Sequence, residues 1–412
     1  MASPIENFSA VNAILLKDIM PAIKNQAYEK ALLWRLFRGF QPTDGQGGYL
    51  ENRVVPVGAM TTSMINNTLY FPIITGNTGG AGAVGLNNQV NYGVVPMLQG
   101  QVPLTTQTGA FLITEQVLNS PGVVKDSFVL SMEQTANSVA MDLNRQSYSD
   151  GSATLGTASA TGTTSTTLIF AASPNNDVDY TEFAPANTWI QIGANTPVQI
   201  TAVAGANSVT LAVAQSWAAG AIVYKLDGSQ TLAPEFVGLG GMVGTGAYAG
   251  ISAPVWSSYV DTNGGTASTF AATTPAGGTF RLTKAFIKAS KNGSAGVILM
   301  NATEFAAYGN SLVGEQRFAY GDPLYGGWAT LKYMGGNSTV ILDFDCPDDR
   351  IYVLSPENLY LSQLKSFGWL PGEKGVLRGI PQTLNYEAIA SYMGAIWTIK
   401  RNSHAVLTNM IG

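Results

Sequence analysis

Charge is what this sequence has least of. Only 11% of its 412 residues are charged, where a soluble domain ordinarily carries about 25%. Solubility therefore rests on Thr, Ser, Asn and Gln, and a weakly charged surface rich in glycine and alanine suits extensive packing better than life as a free monomer. Acids outnumber bases 26 to 21, for a net charge of −5. No basic domain or stripe that would grip phosphate is evident, so a nucleic-acid partner is expected to be enclosed and not clamped. The single cysteine, Cys346, excludes an intrachain disulfide framework and a cysteine-based zinc site, and it is expected to pack as a small hydrophobe. The longest uncharged stretch, Val54 to Thr114, is broken repeatedly by Gly, Pro and Asn. It does not supply the roughly 20 apolar residues of a membrane helix. The N-terminus lacks a basic segment followed by an apolar run, so no secretory signal is read there. The Asn-x-Ser/Thr matches at Asn66, Asn292, Asn301 and Asn337 then carry little weight, and the expectation is a soluble protein made in a cytoplasm, with no membrane partner.

What is present is ample core material: 46% of the residues are hydrophobic, and the length points to two or three domains. Ser9 is positioned to cap a helix through Val11, Ile14, Leu15 and Ile19, and a second helical run passes through Tyr28, Leu32, Leu33, Leu36 and Phe37 to Gly39. Thr68–Ile74 and Gly93–Leu98 then read as extended strands around the glycine-rich Gly76–Gly82. Together they form a long two-stranded arm with a flexible tip. A hairpin of this kind is marginal alone in water and needs a surface to lie on, so Leu69, Phe71, Ile73, Ile74, Val94, Val95 and Met97 are its candidate inter-subunit contacts.

Ser120 and Pro121 are suited to the N-cap and first position of a helix, with Val124, Phe128, Met132, Thr135, Val139 and Leu143 at helical spacing up to Gly151. There the composition turns to Thr, Ala, Ser and Val. Strands are expected at Trp189–Ile192 and Ile222–Leu226, with a hairpin of Val198–Val203 and Ser208–Val213 across 204–207. This is an all-β module inserted into a larger α+β chain. Beyond it, a helix is expected over Leu282–Lys291 and a buried strand over Val297–Met300, followed by a helix capped by Asn301 and Glu304. Further strands are expected at Thr330–Met334, Thr339–Phe344, Ile351–Leu354, Thr383–Tyr392, Ala395–Lys400 and Ala405–Met410.

No catalytic constellation emerges. His404, the only histidine, has neither a nucleophile elbow nor a paired acid, and a surface or interface position near Lys400 and Arg401 is expected. Ser362-Gln-Leu-Lys365 matches Ser-x-x-Lys without its companion Lys-Thr-Gly. Gly244–Ala249 fits a loose dinucleotide fingerprint, but without the helix and the distant acid it requires, so it reads as a flexible loop. Asp343, Asp345 and Asp348 are weak candidates for a metal, with solvated turn chemistry the plainer account. No cofactor and no enzymatic activity is expected.

The order of these elements resembles the major capsid proteins of tailed bacteriophages, the Hong Kong 97-type fold. Residues 1–53 look like its N-terminal arm and helices and 54–120 like its extended β-hairpin loop, with 121–150 as the spine helix of the peripheral domain. Residues 231–380 resemble the axial domain and 381–412 the C-terminal strands of the peripheral domain, with 151–230 an inserted β domain. Val297–Phe305, Ile351–Tyr360 and Lys400–Leu407 carry the likeness most specifically. The resemblance implies a virion protein that self-assembles into pentamers and hexamers. These would close an icosahedral shell around double-stranded DNA in a bacterial host cytoplasm, with scaffolding, portal and decoration proteins as possible partners. Cross-linked members of that family use a lysine on the extended loop. None lies between Val54 and Thr114, so cohesion without cross-links is expected. An encapsulin-type compartment, and a β-rich adhesin or glycan-binding protein, are the alternatives.

Overall fold

The computed structural model describes residues 54–56, 63–65, 67–74, 92–94, 97–115, 124–174, 178–252, 256–270, 275–313, 331–333, 338–372 and 376–411. The expected helices between Ser9 and Gly39, the loop tip and the Ser120 cap lie outside them. The chain is α+β and divides into two compact units. One holds Val54–Pro56 with residues 104–145 and 361–395; the other holds 57–103, 146–360 and 396–412.

The first unit packs the long helix α1 (Val124–Tyr148) on a sheet. That sheet runs Val54–Pro56, Leu359–Trp369, Asn385–Thr398, Leu377–Gly379, and Thr105–Thr114 also pairs with Asn385–Thr398. The last pairing is antiparallel and continuous from Asn385↔Thr114 to Gly394↔Thr105. Phe128, Met132, Ala136, Val139, Ala140 and Leu143 form the buried stripe of α1, as a 3.6-residue period requires. Thr135, placed on that stripe by its spacing, is only half-buried and donates its hydroxyl to the Ser131 carbonyl at 2.8 Å. Gly109 permits the close approach: a Cβ there would lie 2.5 Å from Val139 Cγ2. Phe111 packs edge-on between Phe128 and Trp369, at 5.7 and 5.5 Å between ring centroids.

Two expected boundaries are corrected here. Val54–Thr114 is not one loop, because both its ends are strands of this sheet. Threonine is a good strand former, and Thr105–Thr114 alternates exposed Thr106, Thr108 and Ala110 with Gln107, Gly109 and Phe111. Likewise, Leu361–Gly379 belongs with this sheet and not with an axial region spanning 231–380.

In the second unit a mixed sheet runs Tyr259–Asp261, Ala405–Leu407, Ile351–Leu354, Val297–Met300, Ser338–Leu342, Leu331–Tyr333. Ala405–Leu407 is therefore a strand of this sheet and not of the sheet in the first unit; it is buried throughout, as a strand covered on both faces must be. Helices α2 (Gly278–Ser290) and α3 (Ala302–Val313) contribute Leu282, Ala285, Ala289, Phe305 and Tyr308 to its core, against Ile298, Met300, Val340, Ile351 and Val353. Asn301 accepts from the Ala302 N–H and donates to the Cys346 carbonyl at 2.7 Å, fixing the start of α3.

Residues 154–225 make a sheet of their own: Thr154–Thr157, Ile222–Lys225, Trp189–Ile192, Val198–Gly205, Ser208–Trp217, Gly162–Ile169. The first and last strands of that order also meet. Ala158 bridges Phe170, Ser159 N–H donates to the Ile169 carbonyl at 2.9 Å, and Ala171 N–H donates to that of Thr157 at 2.7 Å. The sheet thus closes on itself as a small barrel. Closure removes free strand edges, and Leu155, Leu168, Phe170, Ile190, Ile192, Ile200, Val209, Leu211 and Val223 fill the inside. The hairpin turns at Ala206-Asn207, since Ser208 pairs with Gly205, two residues tighter than its expected turn. Because this core takes nothing from outside the barrel, residues 151–237 expressed alone are expected to show a β-type circular dichroism spectrum and one cooperative thermal transition. A disordered spectrum would show that the barrel depends on the rest of the chain.

Candidate assembly interface

The extended loop region forms a three-stranded antiparallel sheet, Ser63–Ile65, Thr68–Ile74, Met97–Pro103. Pairing runs from Thr68↔Pro103 to Ile74↔Met97, so the returning strand begins four residues later than the expected Gly93. Alternation along Thr68–Ile74 sends Leu69, Phe71 and Ile73 to one face, and that face is covered by the chain itself: the three are 0–1% exposed. Phe71 lies 4.2 Å from the Trp397 ring, which stacks in turn on Tyr360 at 4.9 Å. Gly100 leaves room for the pair, since a Cβ there would strike Ile73 Cδ1 and the Phe71 ring. Leu69, Phe71 and Ile73 are therefore core residues and not inter-subunit contacts. They have no surface left to give a neighbour.

The opposite result holds at the start of the returning strand. Val94 is 85% exposed and Met97 59%, and Tyr92 and Leu98, which the sequence reading did not single out, are 92% and 50% exposed. The Ile74 side chain and Val95 lie outside the described residues. Met97–Pro103 is also a sheet edge. Among the described residues, its outer backbone is met only where Gln101 N–H donates to the Ala249 carbonyl at 3.0 Å. An open edge flanked by exposed apolar side chains is suited to pairing with another strand.

The residues weighed for chemistry are built into the framework. His404 is fully buried, not at the surface, because it sits where two segments are tied together. Its Nδ1 accepts from the Ser355 N–H at 3.1 Å, and its Nε2 lies 2.9 Å from Thr398 Oγ1. The Thr398 hydroxyl donates to the Asn358 carbonyl at 2.7 Å, which leaves the imidazole Nε2–H as donor to Thr398 and the ring neutral. Burial drives its pKa down to about 3.

Arg401 is buried as well. Its guanidinium donates to the carbonyls of Met242, Gly241 and Gly246 and faces the rings of Tyr248 and Trp256 at 5.6 and 5.8 Å. Gly244–Ala249 is thus the wall around an arginine and not a free loop. Asp343 and Asp348 are buried, not solvated, because Asp343 accepts from the Tyr148 hydroxyl at 2.6 Å. Burial, reinforced by Asp343, pushes the Tyr148 hydroxyl well above its ordinary range. Asp345, half-buried, turns its backbone N–H to Asp343. Among the described residues, no group of three or more His, Cys, Asp and Glu side chains is gathered as metal ligands. Ser362 is buried, while Lys365 donates to Ser391 Oγ at 2.5 Å. The Cys346 thiol is buried, and burial raises its pKa well above the usual value. No helix among the described residues is long and apolar enough to cross a membrane.

No family model matches the chain, and no curated protein matches it. Among solved structures, the chain is similar to the cyanophage A-1(L) capsid asymmetric unit, with 16% identity and a TM-score of 0.46 over 88% of this chain and 92% of that one. It is similar to the capsid of an empty GTA particle at 12% identity and a TM-score of 0.46, over 89% and 94%. A virus-like particle from Pyrococcus furiosus is similar at 10% identity and a TM-score of 0.37, over 93% and 98%.

Proposed function

We propose that this protein is a shell-building subunit, the major capsid protein of a tailed bacteriophage, which assembles with copies of itself around double-stranded DNA. The observation that carries the reading is the strand edge at Met97–Gly100, unpaired among the described residues, with Tyr92, Val94, Met97 and Leu98 exposed beside it. An edge of this kind is a liability on a monomer and an asset where another chain adds to it. The low charge of the chain and the order of its described elements, a strand-rich sheet ahead of a long helix and two α+β regions, support the same reading. Pentamers and hexamers closing an icosahedral shell follow from the capsid resemblance, as do scaffolding, portal and decoration partners. The barrel at 154–225, enclosed by its own hydrogen bonds, is then an outward-facing insertion.

Electron microscopy of the purified protein tests this: closed particles or capsomer rings are expected. Val94→Asp with Met97→Asp places charge on the edge without touching the core, and is expected to cut particle yield at least tenfold while the far-ultraviolet spectrum stays unchanged. A wild-type chain that sediments only at 43.3 kDa across salt and concentration would overturn the reading.

A further inference from the structure

The outer side of α2 stands out in an acidic chain. From Asp261 to Glu304 the sequence contains no acid between those two, yet it carries Arg281, Lys284, Lys288 and Lys291. Arg281 turns inward to Asp261, with Nε 3.1 Å from Oδ1. Lys284 lies over the Tyr259 ring, 5.8 Å from its centroid, while Lys288 and Lys291 are exposed. Positions 280, 284, 287, 288 and 291 fall at i, i+4, i+7, i+8 and i+11, one helical face. On that face Phe280 is 52% and Ile287 56% exposed. The surface is therefore apolar and basic at once. Phosphate backbone would engage the lysines but leave Phe280 and Ile287 without a partner, so the chemistry fits a protein surface that is apolar and acidic.

The same unit displays such a surface. Phe344 is 70% exposed and is followed by the half-buried Asp345, while Asp343 before it is buried against the Tyr148 hydroxyl. Of the four aspartates in the Phe344 loop, Asp343–Arg350, Asp343 and Asp348 are buried, so the carboxylates that reach the surface are the half-buried Asp345 and Asp349, the latter 3.4 Å from Arg350. Phe344, Phe280 and Ile287 are all exposed in one chain, so knob and helix face do not cover each other within it. We propose that the α2 face receives the Phe344 loop of a second copy. This rests on the shell reading and assigns one of its contacts. A contact between two different patches of identical chains is heterologous, and it generates a ring when the rotation closes. Apolar anchors with charge complementarity around them are what fix register in such an interface.

Three variants of the full chain test this by electron microscopy and sedimentation beside the wild type. Lys288→Glu with Lys291→Glu, and separately Phe344→Glu, are expected to lower the yield of rings or particles at least tenfold. All three positions are on the surface, and circular dichroism checks that the fold is kept. Adding Asp345→Lys and Asp349→Lys to the lysine pair restores opposite charge across the contact and is expected to recover at least a third of the wild-type yield. Particles formed at wild-type yield by both the lysine-pair variant and Phe344→Glu overturn this contact and leave the shell reading standing. Particles that survive with less retained nucleic acid would assign the face to nucleic acid, and also overturn it. A wild-type chain that never assembles removes both.

Discussion

Acidifying the protein from pH 6.5 to 4.5 is expected to destabilise it by roughly 1.4 kcal/mol per pH unit through one residue, His404. In the unfolded chain its imidazole binds a proton near pH 6.5, whereas in the folded chain burial holds the pKa at about 3. Between those values the unfolded state carries one more proton. The stabilisation is fully present above the unfolded pKa and is lost as pH falls toward the folded one, on the order of 5 kcal/mol over the whole interval. Geometry gives the reason: Nδ1 already accepts from the Ser355 N–H and Nε2 faces Thr398, so an added proton would set N–H against N–H in a buried site. Urea unfolding between pH 7 and 4.5 measures the slope. His404→Gln is expected to be less stable at pH 7 and to lose this slope, and since the chain has no other histidine, any slope that persists in the variant would remove His404 as its source. Carboxylates such as Asp261, whose pKa is lowered, contribute below that window.

Replacing Gly238 by alanine is expected to cost more than about 3 kcal/mol, enough to leave little folded subunit. A Cβ there would sit 2.2 Å from the Gln146 carbonyl oxygen, 2.4 Å from that of Ser147 and 2.5 Å from the Ser147 carbonyl carbon. These are backbone atoms of the last turn of α1, and no side-chain rotation relieves the contact. Gly240 faces the Tyr148 carbonyl in the same way, at 2.5 Å, so 238–241 lies flush on the helix end. Gly246→Ala is the control: nothing lies within 4 Å of its Cβ position, and a change under about 0.5 kcal/mol is expected. Thermal melts of both variants decide it. Equal stability of Gly238→Ala and wild type would mean that this close packing is not what holds the segment.

Elements bounded by clear punctuation were legible in the sequence. Val297–Met300 is an apolar run between Gly296 and Asn301, and the structure makes it a strand buried throughout. Leu359–Trp369 was hidden because Leu361, Leu364 and Phe367 recur every third residue, a helical spacing, while the strand buries Leu361 and Phe367 and leaves Leu364 45% exposed. At the candidate interface, alternation showed that Leu69, Phe71 and Ile73 share a face. What covers that face is Trp397, which lies far along the chain, and no local pattern reports so distant a contact. The exposed Tyr92 and Leu98 carried no signal, since an apolar residue looks the same in sequence whether covered or bare. The basic face of α2 was overlooked because the net negative charge averages it away.

The two ends of the barrel bear on how the chain can be rewritten. A Cβ built on Gly151 lies 3.5 Å from both Cα and N of Val237, and Lys225 N–H returns to the Ala153 carbonyl at 2.8 Å. To the remainder of the polypeptide, everything between Gly151 and Val237 is equivalent to a tight turn, because chain entry and exit are already in contact. The entropy of bringing those ends together is supplied by whatever folds between them. The barrel can therefore be traded for a short linker, or for an unrelated domain with neighbouring termini, at one junction and without redesigning either side. That makes it a natural cassette, a place where foreign sequence can enter without parting the flanking chain.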